Sequence, residues 1–555
     1  MDHFDYIVIG AGSAGCALAG RLSEDKSVSV LVLEAGGSDK NLLVDMPAGW
    51  GMTQTPGHAM NWSYQTGPEP GLNGRHVPLP RGKVIGGSSA INGLLYVRGQ
   101  REDYDDWEAA GAKGWSWREV EPYFLRSENN QTQPGAAHGH AGPLKVANLV
   151  DPSPLSATLI AAAIEAGIPA SADFNGEQQE GVGYYQATLN GARRCSAAHA
   201  YLAPALARGN LALTSGVTVT RIVFDGPRAA GVEYRQNGVL KLAAARHEVL
   251  LCAGAIASPQ LLMLSGIGPR AHLAQHGIAT LIDAAEVGAN VQDHLVVPLM
   301  WRLKAGQASM NSRLTGVGVL REVLAYWLKK QGAMTMPAAE VGIFCKSSPQ
   351  LARPDLQFHL LPLSGELESA KKSLHAYPGY TLAPNVCRPT SRGYIRLASA
   401  DPAQPPQIVM NYLTTDYDID TTLAGIDWAR RIAAAPALAA ATESETYPGA
   451  TIREREDLVA FARRSGTTGH HPVGSCRMGS DEASVVDTEL RVRGVSGLRV
   501  VDASVMPLLI SGNTNATAIM IGERAAEFVA KARRARLRAG EKHSASMTPS
   551  PAAAL

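Results

Sequence analysis

The side chains best suited to move a proton near neutral pH are the adjacent imidazoles of His470 and His471, with Pro472 and Gly474 fixing the backbone behind them. Neither Cys nor an acidic residue follows at zinc spacing in His470-His471-Pro472-Val473-Gly474-Ser475-Cys476-Arg477-Met478-Gly479. The block is therefore read either as a proton-transfer site or as a buried, satisfied histidine pair. A second polar block comprises Asp502-Ala503-Ser504-Val505-Met506-Pro507 and then Ser511-Gly512-Asn513-Thr514-Asn515-Ala516, and it runs straight into a helical stretch, Thr517 to Val529. Free N–H groups and the positive dipole end then face whatever lies in front, and negative charge is favoured there. The competing reading is that Asn513 and Asn515 only cap the helix.

Two glycine-rich blocks precede these. Gly10-Ala11-Gly12-Ser13-Ala14-Gly15 separates an apolar run, Tyr6 to Ile9, from the helical spacing of Ala14 to Leu22. Gly10 permits a tight turn, Gly12 lets backbone amides approach a pyrophosphate, and Gly15 lets helix and strand pack closely. Glu34 ends the next apolar run, Val28 to Leu33, where a carboxylate can accept hydrogen bonds from an adenosine ribose. Strand, turn, helix, strand and acid in that order predict nucleotide binding, without separating FAD from NAD. The other block, Pro80-Arg81-Gly82-Lys83-Val84-Ile85-Gly86-Gly87-Ser88-Ser89-Ala90-Ile91-Asn92-Gly93, leads into a helix-like run from Ile91 to Val97. It could press backbone against a flat cofactor or be a plain turn.

The elements that must position these residues alternate between strand and helix periods. Strand-like segments recur at Leu211 to Val223, Ala230 to Tyr234 and Glu248 to Cys252, followed by a helix start at Ser258 to Ser265. Residues Asn41 to Arg81 lack periodicity over a length that suggests an arm or lid. Longer helical stretches mixed with strands, such as Leu356 to Leu361 and Tyr394 to Leu397, fill the region from 300 to 465. At 555 residues the chain exceeds one hydrophobic core. Charges balance, 51 Lys and Arg against 50 Asp and Glu, which argues against nucleic acid as a partner. Six scattered cysteines without a C-x-x-C pair indicate neither a disulfide framework nor structural zinc and fit a reducing compartment. The N-terminus opens directly into a strand, so a cytoplasmic protein is expected, with room for peripheral contact at the inner face of a membrane.

In this order and at these distances the four blocks resemble the glucose–methanol–choline (GMC) family of FAD-dependent oxidoreductases, from Phe4 to Val529. The resemblance includes Arg81 to Gly99, Cys252-Ala253-Gly254-Ala255-Ile256-Ala257-Ser258-Pro259-Gln260, Asn290-Val291-Gln292-Asp293-His294 and Ser391-Arg392-Gly393. Asn73-Gly74-Arg75 and Asp355-Leu356-Gln357-Phe358-His359 look most like the aliphatic-alcohol branch among its bacterial choline, aliphatic-alcohol and sorbose dehydrogenases. By resemblance, His471 is the catalytic histidine and Asn513 the second active-site residue. Gly10, Gly12, Gly15 and Glu34 would hold the ADP half of FAD, Val219 the adenine region through its backbone, and Ser13, Ala14 and Ala35 would also contact the cofactor. Gly87, Asn92 and Gly93 would lie at the isoalloxazine, with Arg81, Val84, Leu94, Asp502, Ala503, Thr514 and Asn515 as further FAD contacts. Where some relatives carry a His that bonds the flavin covalently, this chain has Ile91, so FAD is expected to bind noncovalently. His470 departs from the aromatic residue of many relatives.

The resemblance implies an α/β fold. Its Rossmann-like FAD-binding domain is discontinuous (1–150, 195–300 and 465–532), as is the substrate-binding domain (151–194 and 301–464), which has an antiparallel sheet flanked by helices. Residues 533–555 are expected to be a disordered tail. The implied reaction is oxidation of a primary alcohol to an aldehyde by hydride transfer to flavin N5, with His471 as general base. Electrons then pass to a quinone or another acceptor. A hydroxynitrile lyase and a light-driven fatty-acid decarboxylase on the same fold are the alternatives.

Overall fold

The structure, a computed structural model, describes residues 2–366 and 373–546, with side chains up to 538. Its first sheet starts with β1 (Asp2–Ile9), crosses through α1 (Ser13–Leu22) and returns as β2 (Val30–Leu33). All four residues of β2, Val-Leu-Val-Leu, are buried, as expected of a strand with covered faces. β1 pairs in parallel with β2, Val8 opposite Val32, and on its other side with Val239–Leu251, Val8 opposite Leu250. The strand Leu211–Thr214 extends the sheet beyond β2, and Leu498–Val500 lies parallel to residues 249–251. An antiparallel meander, Val217–Asp225 and Arg228–Gln236, completes it against the first half of Val239–Leu251.

Three helices begin at the C-terminal edge of this sheet or beside it: α1, α2 (Gly254–Leu264) and the long helix that ends the described chain. Gly15 is what lets α1 start so close to the sheet, because a Cβ there would sit 2.0 Å from the Gly10 carbonyl oxygen.

The second sheet is antiparallel throughout, in the order 442–447, 299–303, 379–386, 356–361, 341–345, 181–184. Leu295–Val296 bridges it to Thr467–Thr468, the short strand that delivers the histidine pair. Period-two alternation divides its residues: Leu356, Phe358 and Leu360 enter a core with the helices Pro154–Glu165 and Asp416–Ala433, while His359 and Leu361 face the opposite way into a cavity. A surface helix, α3 (Val317–Lys329), packs through Tyr326 on Met46, Ala192 and Met334, and the last helix is α4 (Asn515–Ser546).

Two sequence expectations change. The run from Ile91 to Val97 is not a helix: a short turn of helix ends at Ala90 and Leu95–Tyr96 is a strand against Gln186–Ala187. The cause is local, because the Asn92 side chain accepts the Leu94 N–H and Leu94 takes a left-handed φ of 67°. The arm from Asn41 to Arg81 contributes Tyr64, Leu72, Val77 and Leu79 to the second core. Finally, α4 continues to Ser546 through the first part of the expected tail, and residues 547–555 lie outside the described residues. The alternating alanines and basic residues of that stretch are good helix formers.

Candidate active site

A single cavity of about 700 Å³ runs from the end of the first sheet to the inner face of the second. At its first end the N-termini of α1, α2 and α4 converge: Gly12, Ser13 and Ala14, then Gly254 and Ala255, then Asn515 and Ala518, all line it. A Cβ on Gly12 would meet nothing within 4 Å, so the turn presents bare backbone to open space. Glu34 is buried at the same end, and its carboxylate accepts the N–H groups of Ala11 at 2.8 Å and Gly36 at 2.7 Å. Burial raises its pKa and those bonds oppose the rise. Asp502 is held by N–H or O–H donors from Gly254, Ser258 and Ser504, while the Ser13 hydroxyl donates to Asn515 Oδ1 at 2.7 Å. Converging helix N-termini make this end electropositive without a cluster of cationic side chains.

The second end is made of side chains. His471 Nε2 lies 3.0 Å from Asn513 Nδ2, and His471 Nδ1 lies 2.9 Å from His294 Nδ1. The proton positions follow from the far end of this chain. The Cys387 carbonyl, 2.8 Å from His294 Nε2, can only accept, so His294 Nε2 carries a proton. Buried His294, its pKa held down to about 4 mainly by burial, is neutral, so its Nδ1 accepts from His471 Nδ1–H. His471 is thereby fixed with its Nε2 lone pair toward Asn513. The amide of Asn513 agrees with that assignment, because its oxygen accepts from Gln357 Nε2 at 3.2 Å and its nitrogen is left as donor. Gln357 Nε2 is also 3.0 Å from the Tyr185 hydroxyl, which donates to the Phe358 carbonyl.

Burial, followed by the neighbouring His294, His359, His470 and Arg81, holds His471 well below the usual imidazole range. It is a neutral base throughout the physiological range. His359, also on the cavity wall, is held down to about 4 by burial and then by His294. Asp293 fixes the backbone: its carboxylate accepts the His471 N–H at 2.7 Å and the hydroxyls of Thr468 and Tyr412. Arg81 spans to the His470 carbonyl at 2.7 Å, and burial lowers its pKa, partly opposed by Asp293.

Of the residues singled out in the sequence, His471, Asn513, Gly10, Gly12, Ser13, Ala14, Glu34, Ala35, Arg81, Gly87, Asn92, Gly93, Leu94, Val219, Asp502, Ala503, Thr514 and Asn515 all line the cavity. Two are placed elsewhere. Gly15 packs against Gly10 and Cys252, the helix-packing part expected of it. Val84 is not on the cavity wall: it is fully buried among Val44, Ala90 and Ile91, where an apolar side chain of its size is stabilised by packing. Ile91 itself lines the cavity. Sequence reading gave no role to His294, Gln357, His359 or Arg194. The alternation in Leu356-Gln357-Phe358-His359-Leu360 was a usable signal for two of them, since it puts Gln357 and His359 on one strand face. Nothing local marked Arg194, a buried guanidinium that donates to Asn92 Oδ1 at 2.6 Å and to the Val44 carbonyl.

The fold and this site define an oxidoreductase of the GMC type, and comparison with known proteins agrees. The GMC oxidoreductase family model matches residues 4–296 with its N-terminal part and 389–522 with its C-terminal part, so the chain belongs to the GMC oxidoreductase family. It is 44% identical over 541 residues to the alcohol dehydrogenase [acceptor] of Pseudomonas putida, spanning 95% of this chain and 96% of that one. Human mitochondrial choline dehydrogenase is 40% identical over 548 residues, 95% of this chain and 90% of that one. Pyridoxine 4-oxidase from Mesorbium loti superimposes with a TM-score of 0.86 at 30% identity, over 94% of this chain and 98% of its own. A point variant of Aspergillus oryzae formate oxidase, solved for its effect on FAD modification, gives 0.89 at 26% identity, over 96% and 99%.

Proposed function

We propose that this protein binds FAD noncovalently and oxidises a primary aliphatic alcohol to the aldehyde, passing electrons to a quinone or another acceptor. The residues fit the cofactor. Gly10, Gly12, Ser13 and Glu34 would hold its ADP half beside the helix N-termini, and Val219 its adenine. Gly87, Asn92, Gly93, Ala503 and Thr514 would lie along the ring. The buried Trp50 Nε1, on the cavity wall, has no hydrogen-bond partner among the described residues and offers the group a further donor. When bound, FAD supplies the hydride acceptor.

The observation that carries the reading is the His471 Nε2 lone pair, held toward Asn513 by the His294 relay. An alcohol hydroxyl placed between His471 and Asn513 would lose its proton to Nε2 and keep a hydrogen bond from Asn513 Nδ2 to its oxygen. His471 Nδ1 stays protonated toward His294, and the Asp293 carboxylate lies beside the residue that gains charge. Val296, Pro298, Met300, Leu361 and Leu363 line the second end of the cavity, a wall suited to an alkyl chain.

Anaerobic bleaching of the flavin spectrum by aliphatic, aromatic, sugar and quaternary-ammonium alcohols tests this directly. Primary aliphatic alcohols should bleach it fastest; no bleaching by any of them removes the reaction, and faster bleaching by a quaternary-ammonium alcohol removes the substrate class. Because Ile91 offers no nucleophile, acid precipitation should release all of the yellow colour. Flavin remaining with the washed polypeptide would show a covalent bond.

A further inference from the structure

The helix α3, Val-Gly-Val-Leu-Arg-Glu-Val-Leu-Ala-Tyr-Trp-Leu-Lys, is apolar on the side that faces water. Val317 is 85% exposed, Leu320 72% and Leu328 73%, with Leu324 and Trp327 more than half exposed. At 100° per residue these five positions fall on one continuous stripe of the helix. The opposite side is the anchored one: Tyr326 is buried and donates to the Ala192 carbonyl, and Val323 packs with Met46 and Met334. Five large apolar side chains on one short surface helix exceed the scattered exposure that soluble surfaces carry.

The exposed charges of the helix and of the residue that caps it have one sign. Arg321, Lys329 and Lys330 are exposed, whereas Glu322, the single acid of the helix, is buried and bound by Arg313 at 2.8 and 2.9 Å. The Lys330 ammonium lies over the rings of Tyr326 and Trp327, at 4.7 and 5.3 Å, which keeps cation and aromatic at the same level. An apolar stripe with Trp and Leu, bordered by cations, is the pattern of a helix lying in the plane of a lipid headgroup layer. A second copy of this chain would bring the same cations against each other.

We propose that α3 docks the protein on an anionic lipid bilayer, with Val317, Leu320, Leu324, Trp327 and Leu328 entering the headgroup layer and Arg321 and Lys330 meeting lipid phosphates. The helix also adjoins the second end of the cavity. Leu363 of the cavity wall packs with Met310, Ala333 and Met336, and Leu314, just before α3, packs on the same cluster. Docking there brings the alkyl end of the cavity toward the bilayer.

The test is vesicle flotation of the FAD-loaded protein, with phosphatidylglycerol–phosphatidylcholine vesicles against phosphatidylcholine alone. The protein should float with the anionic vesicles and be released as salt rises. Leu320→Glu/Leu324→Glu/Leu328→Glu should weaken binding at least about tenfold. Each cation near an anionic surface is worth about fivefold, so Arg321→Gln/Lys330→Gln should cost up to about 25-fold. None of these side chains lines the cavity, so flavin content and alcohol oxidation with a soluble dye should stay at the wild-type level. The proposal falls if the wild-type protein does not float, if the glutamate variant floats equally well, or if light scattering shows a dimer that becomes a monomer in that variant without vesicle binding.

Discussion

The two ends of the cavity are built from different material. At the first sheet, turns and three helix N-termini present main-chain atoms, and what the site offers is shape and partial positive charge. At the second, a series of side chains, His294, His471, Asn513, Gln357 and Tyr185, fixes the place of each proton. A surface of backbone is damaged by adding atoms. A relay of side chains is damaged by removing them, and the two kinds of damage should be separable as lost cofactor and lost rate.

The largest effect expected is at His471. Its replacement by Ala removes the base and should slow single-turnover flavin reduction by about 10²–10⁴-fold with FAD still bound. A loss within tenfold of wild type, or loss of FAD in its place, breaks the division. Next is His294, a positioning residue: His294→Ala leaves His471 Nδ1 without an acceptor, and a buried hydrogen bond of ~1–3 kcal/mol corresponds to about 5–150-fold in rate. Gln retains both an acceptor and a donor, so His294→Gln should recover most of that loss while Ala does not; equal rates in the two variants would mean that His294 only fills space.

The backbone end should respond in the opposite way. Gly87 has φ +53°, and a Cβ there would stand 2.7 Å from Gly12 Cα, where only main chain could yield. Gly87→Ala should weaken FAD binding by about tenfold or more, from the left-handed conformation alone, with the rate per bound flavin close to wild type. A normal FAD content with a reduced rate would reverse the assignment of the two ends.

The mildest effect is spread over pH. His294 and His359 titrate near 4 in the folded protein and His471 well below its ordinary value, whereas all three titrate near 6.5 when unfolded. The unfolded chain therefore binds more protons between pH 6.5 and 4, so stability is full above that range and falls as pH falls through it. Each histidine contributes about 1.4 kcal/mol per pH unit there. Denaturant titrations at pH 7, 6 and 5 should show a falling midpoint, and His359→Gln should flatten the slope.

The backbone end was the more legible in the sequence. Gly10, Gly12, Gly15 and Glu34 announce themselves because a turn, a close approach and an acid after a second strand require particular residue types at fixed local spacing. The side-chain end is assembled from strands far apart in the chain. His294 and His471 are 177 residues apart, and Gln357 and Asn513 156, distances over which local periodicity carries no information. The Ile91 to Val97 segment misled for a related reason: its apolar spacing suits a helix, but the Asn92 side chain and the left-handed Leu94 divert the backbone.

The hydrogen bond from Ser13 to Asn515 joins residues 502 positions apart. Arg21 and Tyr201 meet Glu523 in the same seam between α1 and α4. During synthesis the glycine turn emerges long before the helix that closes it. Every strand of both sheets, the edge strand Leu498–Val500 included, precedes α4 in the chain and can pair before it emerges, yet the nucleotide end of the cavity then still lacks a wall. Loading of the cofactor thus waits for α4, and a chain nicked before Asn515 would be an apoprotein with its strands in place.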